Sequence, residues 1–203
     1  GNSSHLIVDE AIDWLKTGKA EQPFVLFVWF HAPHEPVAVT EKWTTPYAAQ
    51  EPEDRRQYLG SITCLDDAIG RLLGELDRTK RRDNTLIFFS SDNGPETLKR
   101  YKGAHRSYGT PGKLRGMKLH LTEGGIRVPG LLSWPGKIKP GTSAVPVCNV
   151  DLLPTACDLA GVKLPEAPLD GTSLLPLIEG KPRKGESPHG PTQTAWSGQD
   201  PHP

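Results

Sequence analysis

The chain is short of cysteine and of net charge, and it has no long hydrophobic run. Cys64, Cys148 and Cys157 are three isolated cysteines, too scattered for a disulfide framework. None belongs to a CxxC pair, which argues against a zinc knuckle. Lys plus Arg and Asp plus Glu each number 24, giving a formal net charge of zero. A nucleic-acid or membrane-surface protein would usually carry a basic excess, so both are excluded as the main partner, although a local basic pocket for a small anion is not. No apolar stretch is long enough to span a bilayer. There is no initiator methionine and no signal peptide. The chain opens "GNSSHLIVDEAIDWL", already inside a helical pattern, and reads as an internal fragment. Its 203 residues suit one domain or one large piece of a bigger one.

What is present alternates between strand and helix patterns. Ser3 or Ser4 is placed to cap a first helix, with Ile7, Ala11, Trp14 and Leu15 sharing a face. "PFVLFVWF" (Pro23–Phe30) is apolar on both faces and predicts a central strand of a covered sheet, stopped by the prolines of "HAPHEP". Residues 37–57 are expected to form a surface excursion. A helix follows in which Ile62, Leu65, Ile69, Leu72, Leu73 and Leu76 keep the 3.6-residue period. "TLIFFSS" (Thr85–Ser91) predicts a second buried strand, and "IRVPGLLSWPG" (Ile126–Gly136) a short one. Asp151, Pro154 and Gly161 mark a last helix as N-cap, first turn and stop. From Glu179 onward aliphatic residues nearly vanish, so residues 181–203 are expected to be a disordered or extended tail beyond a portion spanning 1–180. This order predicts an α/β fold with a mainly parallel central sheet flanked by helices, and a site beyond the carboxyl ends of the strands.

Two strand ends carry chemistry. Asp92–Asn93–Gly94 closes the second strand. Asn-Gly is a strong turn signal. A carboxylate beside a carboxamide also suits a hard cation, Ca²⁺ or Mg²⁺. The residues alone leave turn and metal both open. His31 and His34 end the first strand. They read either as loop histidines or as donors to an anion or a leaving group. Lys118 reads as a surface lysine or as a point charge for a tetrahedral anion. It shares a basic loop with Arg100, Lys102, Arg106, Lys113 and Arg115, which invites an anionic substrate.

Four phrases in order, "HAPHEP", "LDDAIGRLLGELDRTKRRDNTLIFFSSDNGP", "LRGMKLHLTEGGIRVPGLLSWPGKIKPG" and "DLLPTACDLAGVKLPEAPLDGTSLLPLIEGK", resemble the sulfatase family of the alkaline-phosphatase superfamily. The flavour is that of arylsulfatases and N-acetylgalactosamine-6-sulfatases, and the implied fold is part of an alkaline-phosphatase-like sandwich. The resemblance implies a formylglycine-dependent, metal-binding sulfuric ester hydrolase acting on a sulfated sugar or an aryl sulfate. Under it, Asp92 and Asn93 match calcium ligands, with Mg²⁺ as the alternative. Lys118 matches the lysine on the sulfate, and His34 the histidine near the sulfate and the leaving oxygen, with His31 a weaker match. His105, Arg106 and Tyr108 are candidate sugar contacts. Two positions depart from the family pattern: Leu119 follows the lysine where a small or polar residue is usual, and Thr122 precedes Glu-Gly-Gly where an aromatic is common. None of the three cysteines stands in the Cys/Ser-x-Pro/Ala-x-Arg motif that yields the nucleophile. The nucleophile and the rest of the cation cage are therefore expected in an N-terminal half outside these residues. The alternatives are a phosphoester or phosphonate hydrolase of the same superfamily, or an inert fragment without a nucleophile. The family implies a periplasmic, secreted or lysosomal setting.

Overall fold

The computed structural model describes residues 3–18 and 22–181. The chain divides into two compact units, Gly1–Pro135 and Gly136–Pro203. No helix of the described residues is long and apolar enough to cross a membrane. The tail expected at 181–203 lies, from residue 182 on, outside the described residues.

The first unit is built on two helices, α1 (Ser3–Thr17) and α3 (Glu53–Arg78). The stripe that α1 buries is Ser4, Val8, Ala11 and Leu15. It is rotated from the expected one: Ile7 is only half-buried and Trp14 is exposed. Against this stripe α3 sets Cys64, Leu65, Ala68 and Leu76, a narrow line of small and medium side chains. Small residues at the crossing let the helices approach closely, so Ala68 rather than Ile62 lies in the seam. Polar pairs edge the packing. Arg71 donates to Asp9 and to His5, Arg81 donates to the Leu15 carbonyl, and the His5 ring stacks on Trp43 with centroids 5.5 Å apart.

The segment expected to be a surface excursion is more ordered than that. It holds the one-turn helix α2 (Glu41–Thr44), a 3₁₀ turn (Thr45–Tyr47) and the first turn of α3, which starts at Glu53. Val37 and Trp43 are buried there. The polar pattern misled because these two apolar side chains are isolated in sequence and find α1 and α3 only in three dimensions.

The sheet departs most from expectation. The described residues contain one sheet of two antiparallel strands, β1 (Ile87–Ser90) and β2 (Gly130–Ser133), in register Ile87↔Ser133 to Ser90↔Gly130. No parallel pairing forms among them. Pro23–Phe30 is extended but joins no ladder. Its side chains nevertheless alternate as a strand's do: Phe24, Leu26, Val28 and Phe30 are half-buried, while Val25, Phe27 and Trp29 are 60%, 63% and 80% exposed. Among the described residues this apolar extended segment has no strand neighbour. Between the two strands runs the long loop from Ser91, interrupted by the one-turn helix α4 (Glu123–Ile126).

In the second unit α5 (Leu152–Ala160) ends as predicted at Gly161, whose φ of 65° is left-handed, with Val162 N–H closing onto the Cys157 carbonyl. Its start has Asp151 at the expected N-cap position, without a side-chain cap. The Asp151 carboxylate instead accepts from the Cys148 and Thr172 amides, tying the segment around Gly171 to the helix start. A last helical turn, α6 (Leu175–Ile178), follows Leu174, which is buried.

Candidate active site

The site is assembled in the first unit from three loops. The first is the turn after Pro23–Phe30, which carries His31 and His34. The second begins at the end of β1 and carries Asp92, Asn93 and Glu96. The third leads into α4 and carries Lys118.

Backbone-to-backbone packing joins the second and third loops. Gly94 N–H donates to the Gly125 carbonyl at 2.8 Å, Lys118 N–H to the Pro95 carbonyl at 2.9 Å, and Gly124 N–H to the Arg115 carbonyl at 2.7 Å. The approach is so close that a Cβ on Gly94 would run into the Gly124 carbonyl, and one on Gly124 into the Gly116 carbonyl. This is the physical content of the Glu-Gly-Gly signature: with no side chain on Gly124 or Gly125, the lysine loop can lie directly on the end of β1. Leu119, just after the lysine, has a φ of 77° and is 71% exposed, so its backbone is strained and its side chain unpacked.

Lys118 is drawn inward and is 18% exposed at its side chain. Its Nζ lies 3.1 Å from His34 Nε2 and 4.0 Å from Glu96 Oε2. His34 Nδ1 lies 2.6 Å from the Glu35 carbonyl, which can only accept, so the ring proton sits on Nδ1 and Nε2 offers its lone pair to the ammonium. The His31 ring is 5.5 Å from that of His34. Glu96 also receives both arms of Arg100 at 2.7 and 2.8 Å and the Thr97 amide. Hydrogen bonding from Arg100 pulls its carboxyl below the usual carboxylate range, with the Thr97 amide and the charges of Arg100 and Lys118 adding to it.

At the end of β1, Asp92 Oδ1 is occupied by the Asn93 amide at 3.0 Å and by the Ser91 hydroxyl at 3.4 Å. Asn93 donates its Nδ2 to the Gly94 carbonyl. Asp92 Oδ2 and Asn93 Oδ1 have no hydrogen-bond partner among the described residues. One carboxylate and one amide oxygen left open in this way fit a hard cation. They do not form a cage by themselves, and no group of three or more His, Cys, Asp or Glu among the described residues could hold a metal.

The remaining sequence candidates separate. His105 is exposed and makes no hydrogen bond, ion pair or ring contact among the described residues. Arg106 is half-buried and occupied: it donates to Asp54 at 2.8 Å and to the Val37 carbonyl at 2.6 Å, tying the basic loop to α3. Tyr108 lies 6.4 Å from the Tyr58 ring. Glu35 and Glu96 were not singled out by sequence reasoning, and Arg100 was named only as a member of the basic loop. The one available signal was the i, i+4 spacing of Glu96 and Arg100.

The site thus sets a half-buried lysine on an exposed histidine, and leaves a carboxylate and a carboxamide oxygen open at the end of β1. The family model described as Sulfatase matches residues 1–162, and the chain belongs to the sulfatase family. It is 36% identical to steryl-sulfatase from Rattus norvegicus over 183 residues, 89% of this chain and 30% of that protein. It is also 36% identical to arylsulfatase A from Homo sapiens over 170 residues, 84% of this chain and 31% of that protein. Among solved structures it resembles Ps i-CgsB in complex with k-i-k-neocarrahexaose, with a TM-score of 0.75 and 32% identity over 88% of this chain and 39% of that one. It resembles the PsFucS1 sulfatase from Pseudoalteromonas sp. with a TM-score of 0.73 and 28% identity, over 87% of this chain and 35% of that one. The chain thus spans about 30% of the length of these curated relatives.

Proposed function

We propose that this chain is the part of a sulfatase that contributes the sulfate-binding and half of the cation-binding residues for hydrolysis of a sulfate ester. The observation that carries it is the Lys118–His34 pair, 3.1 Å apart and packed against the open oxygens' loop by the glycine contacts. A lysine ammonium is a compact positive charge suited to a tetrahedral anion. His34, with its proton on Nδ1, presents Nε2 to the same space. That nitrogen can take a proton from Lys118 or from solvent and pass it to a leaving oxygen. Asp92 and Asn93 would hold Ca²⁺ or Mg²⁺, which when bound acts as a Lewis acid on the ester's oxygens.

The nucleophile, expected as formylglycine, and the other cation ligands would come from the portion of the relatives that this chain does not match. The same portion would supply strands to flank Pro23–Phe30 and complete a mainly parallel sheet. The substrate is read as a sulfated sugar or an aryl sulfate. Exposed His105 and the Tyr108 hydroxyl are candidates for a sugar contact, whereas Arg106 is already committed to Asp54.

Isothermal titration of the full chain with sodium sulfate, with and without CaCl₂, tests this reading. Lys118→Ala should weaken sulfate binding by about tenfold or more, since a charge-assisted bond is lost (~1.5–3 kcal/mol). Asp92 and Asn93 supply only two ligands, so calcium should add little to sulfate binding until the remaining ligands are present, and Asp92→Asn should leave the calcium-free affinity alone. Equal sulfate affinity in wild type and Lys118→Ala would rule the assignment out.

A further inference from the structure

Between His34 and the basic loop lies a carboxylate that the reading above does not use. Glu35 is 7% exposed, between Pro33 and Pro36. A buried carboxylate is costly unless hydrogen-bonded, so its partners show what it is there to hold. Oε2 accepts the Val37 amide at 2.8 Å. Oε1 accepts the Arg106 amide at 2.5 Å and the Ser107 hydroxyl at 3.4 Å. Two of these donors lie 71 and 72 residues away in sequence, in the basic loop. Proline at 36 has no N–H, so the first amide available to close the turn is that of Val37, and Glu35 takes it.

The same residue acts at its other end. Its carbonyl receives His34 Nδ1 at 2.6 Å, and that bond decides which ring nitrogen faces Lys118. The side chain and the carbonyl of Glu35 belong to one short turn. Fixing the carboxylate on Val37, Arg106 and Ser107 therefore fixes the carbonyl's direction. We infer that Glu35 is a positioning residue: it clamps the His34 turn to the basic loop and thereby locks the His34 ring with Nε2 toward Lys118. A histidine that must accept at Nε2 is useless in the other tautomer, so the lock has a chemical purpose as well as a structural one. The inference deepens the proposed function, because it takes His34 and Lys118 as the working pair.

The test reads the ring nitrogens directly. Long-range ¹H–¹⁵N correlation spectra of the full chain, labelled at histidine, report the tautomer of His34. In the wild type the neutral ring should be protonated at Nδ1 alone. Glu35→Gln keeps the size but replaces one acceptor with a donor, so it opposes an amide N–H. It should yield a mixture of tautomers and weaken sulfate binding by roughly 10- to 100-fold, as removal of an orienting partner does elsewhere. Glu35→Asp, one methylene too short to reach both sides, should do the same and serves if the glutamine variant does not fold. Asp54→Asn loosens the basic loop by breaking the Arg106 ion pair without touching Glu35, and should leave the tautomer as in the wild type. A wild-type ring protonated at Nε2, or an unchanged tautomer in a folded Glu35 variant, overturns the inference. A locked, Glu35-dependent tautomer in a chain without sulfate affinity would keep the clamp and defeat the sulfatase reading instead.

Discussion

At the residue scale, the site is a set of charges held by local bonds. Glu96 illustrates the pH behaviour this implies. Its folded-state pKa is depressed, chiefly by its hydrogen bonds from Arg100. A depressed carboxyl contributes stability above the unfolded value, about 4.3, and loses it as pH falls through the folded one. Urea midpoints for wild type and Glu96→Gln should therefore differ by a constant amount near neutrality and converge below about pH 4. A gap that persists unchanged through pH 3 would show that Glu96 acts by packing alone. At this scale the sequence was readable only where the chemistry is local. Asp92 and Asn93 are neighbours at a strand end, so their pairing could be noticed in the sequence, which left turn and cation both open. Arg106 was not: its partner Asp54 is 52 residues away and nothing between them announces the pair. Glu35 was hidden for the same reason, its donors lying in a different loop.

At the element scale, two kinds of packing matter. The α1–α3 seam is an ordinary apolar one, with Val8 and Ala68 fully buried. Val8→Ala should cost about 1–3 kcal/mol in chemical denaturation, the transfer and cavity terms of two methyl groups. A change under 0.5 kcal/mol would mean that the seam is loose. The glycine packing between the end of β1 and α4 is of another kind, because it positions Lys118 rather than filling a core. Gly124→Ala has no room for its methyl between the Gly116 and Arg115 carbonyls. It should move the lysine loop and weaken sulfate binding as much as Lys118→Ala does; binding at wild-type strength would refute the packing account. Helices with a clear period were legible, including α3 and the Gly161 stop. Their buried faces were less so. Leu65 and Leu76 are buried as the period predicted, but Ile62 is exposed and Cys64 and Ala68 join the contact line, which periodicity in large apolar residues cannot reveal.

At the scale of the whole molecule, the described residues form a two-stranded antiparallel sheet in place of the expected parallel one. Pro23–Phe30 has the composition of a covered central strand, and its alternation survives, but strand identity depends on neighbours and the sequence of one strand cannot supply them. The full chain alone should therefore turn over no aryl sulfate above the uncatalysed rate, as followed by release of 4-nitrophenol from its sulfate ester. Enzyme-like turnover would place a nucleophile within these 203 residues after all. The bare segment has a further consequence, in the language of isotopes. Its backbone makes no hydrogen bond among the described residues, so its amides should take up deuterium on the clock of an open chain while those inside α3 wait for unfolding. Whatever polypeptide completes the sheet would stop that clock at residues 24–30 first. If the proposed flanking strands exist, the slowing of labelling there would time their arrival.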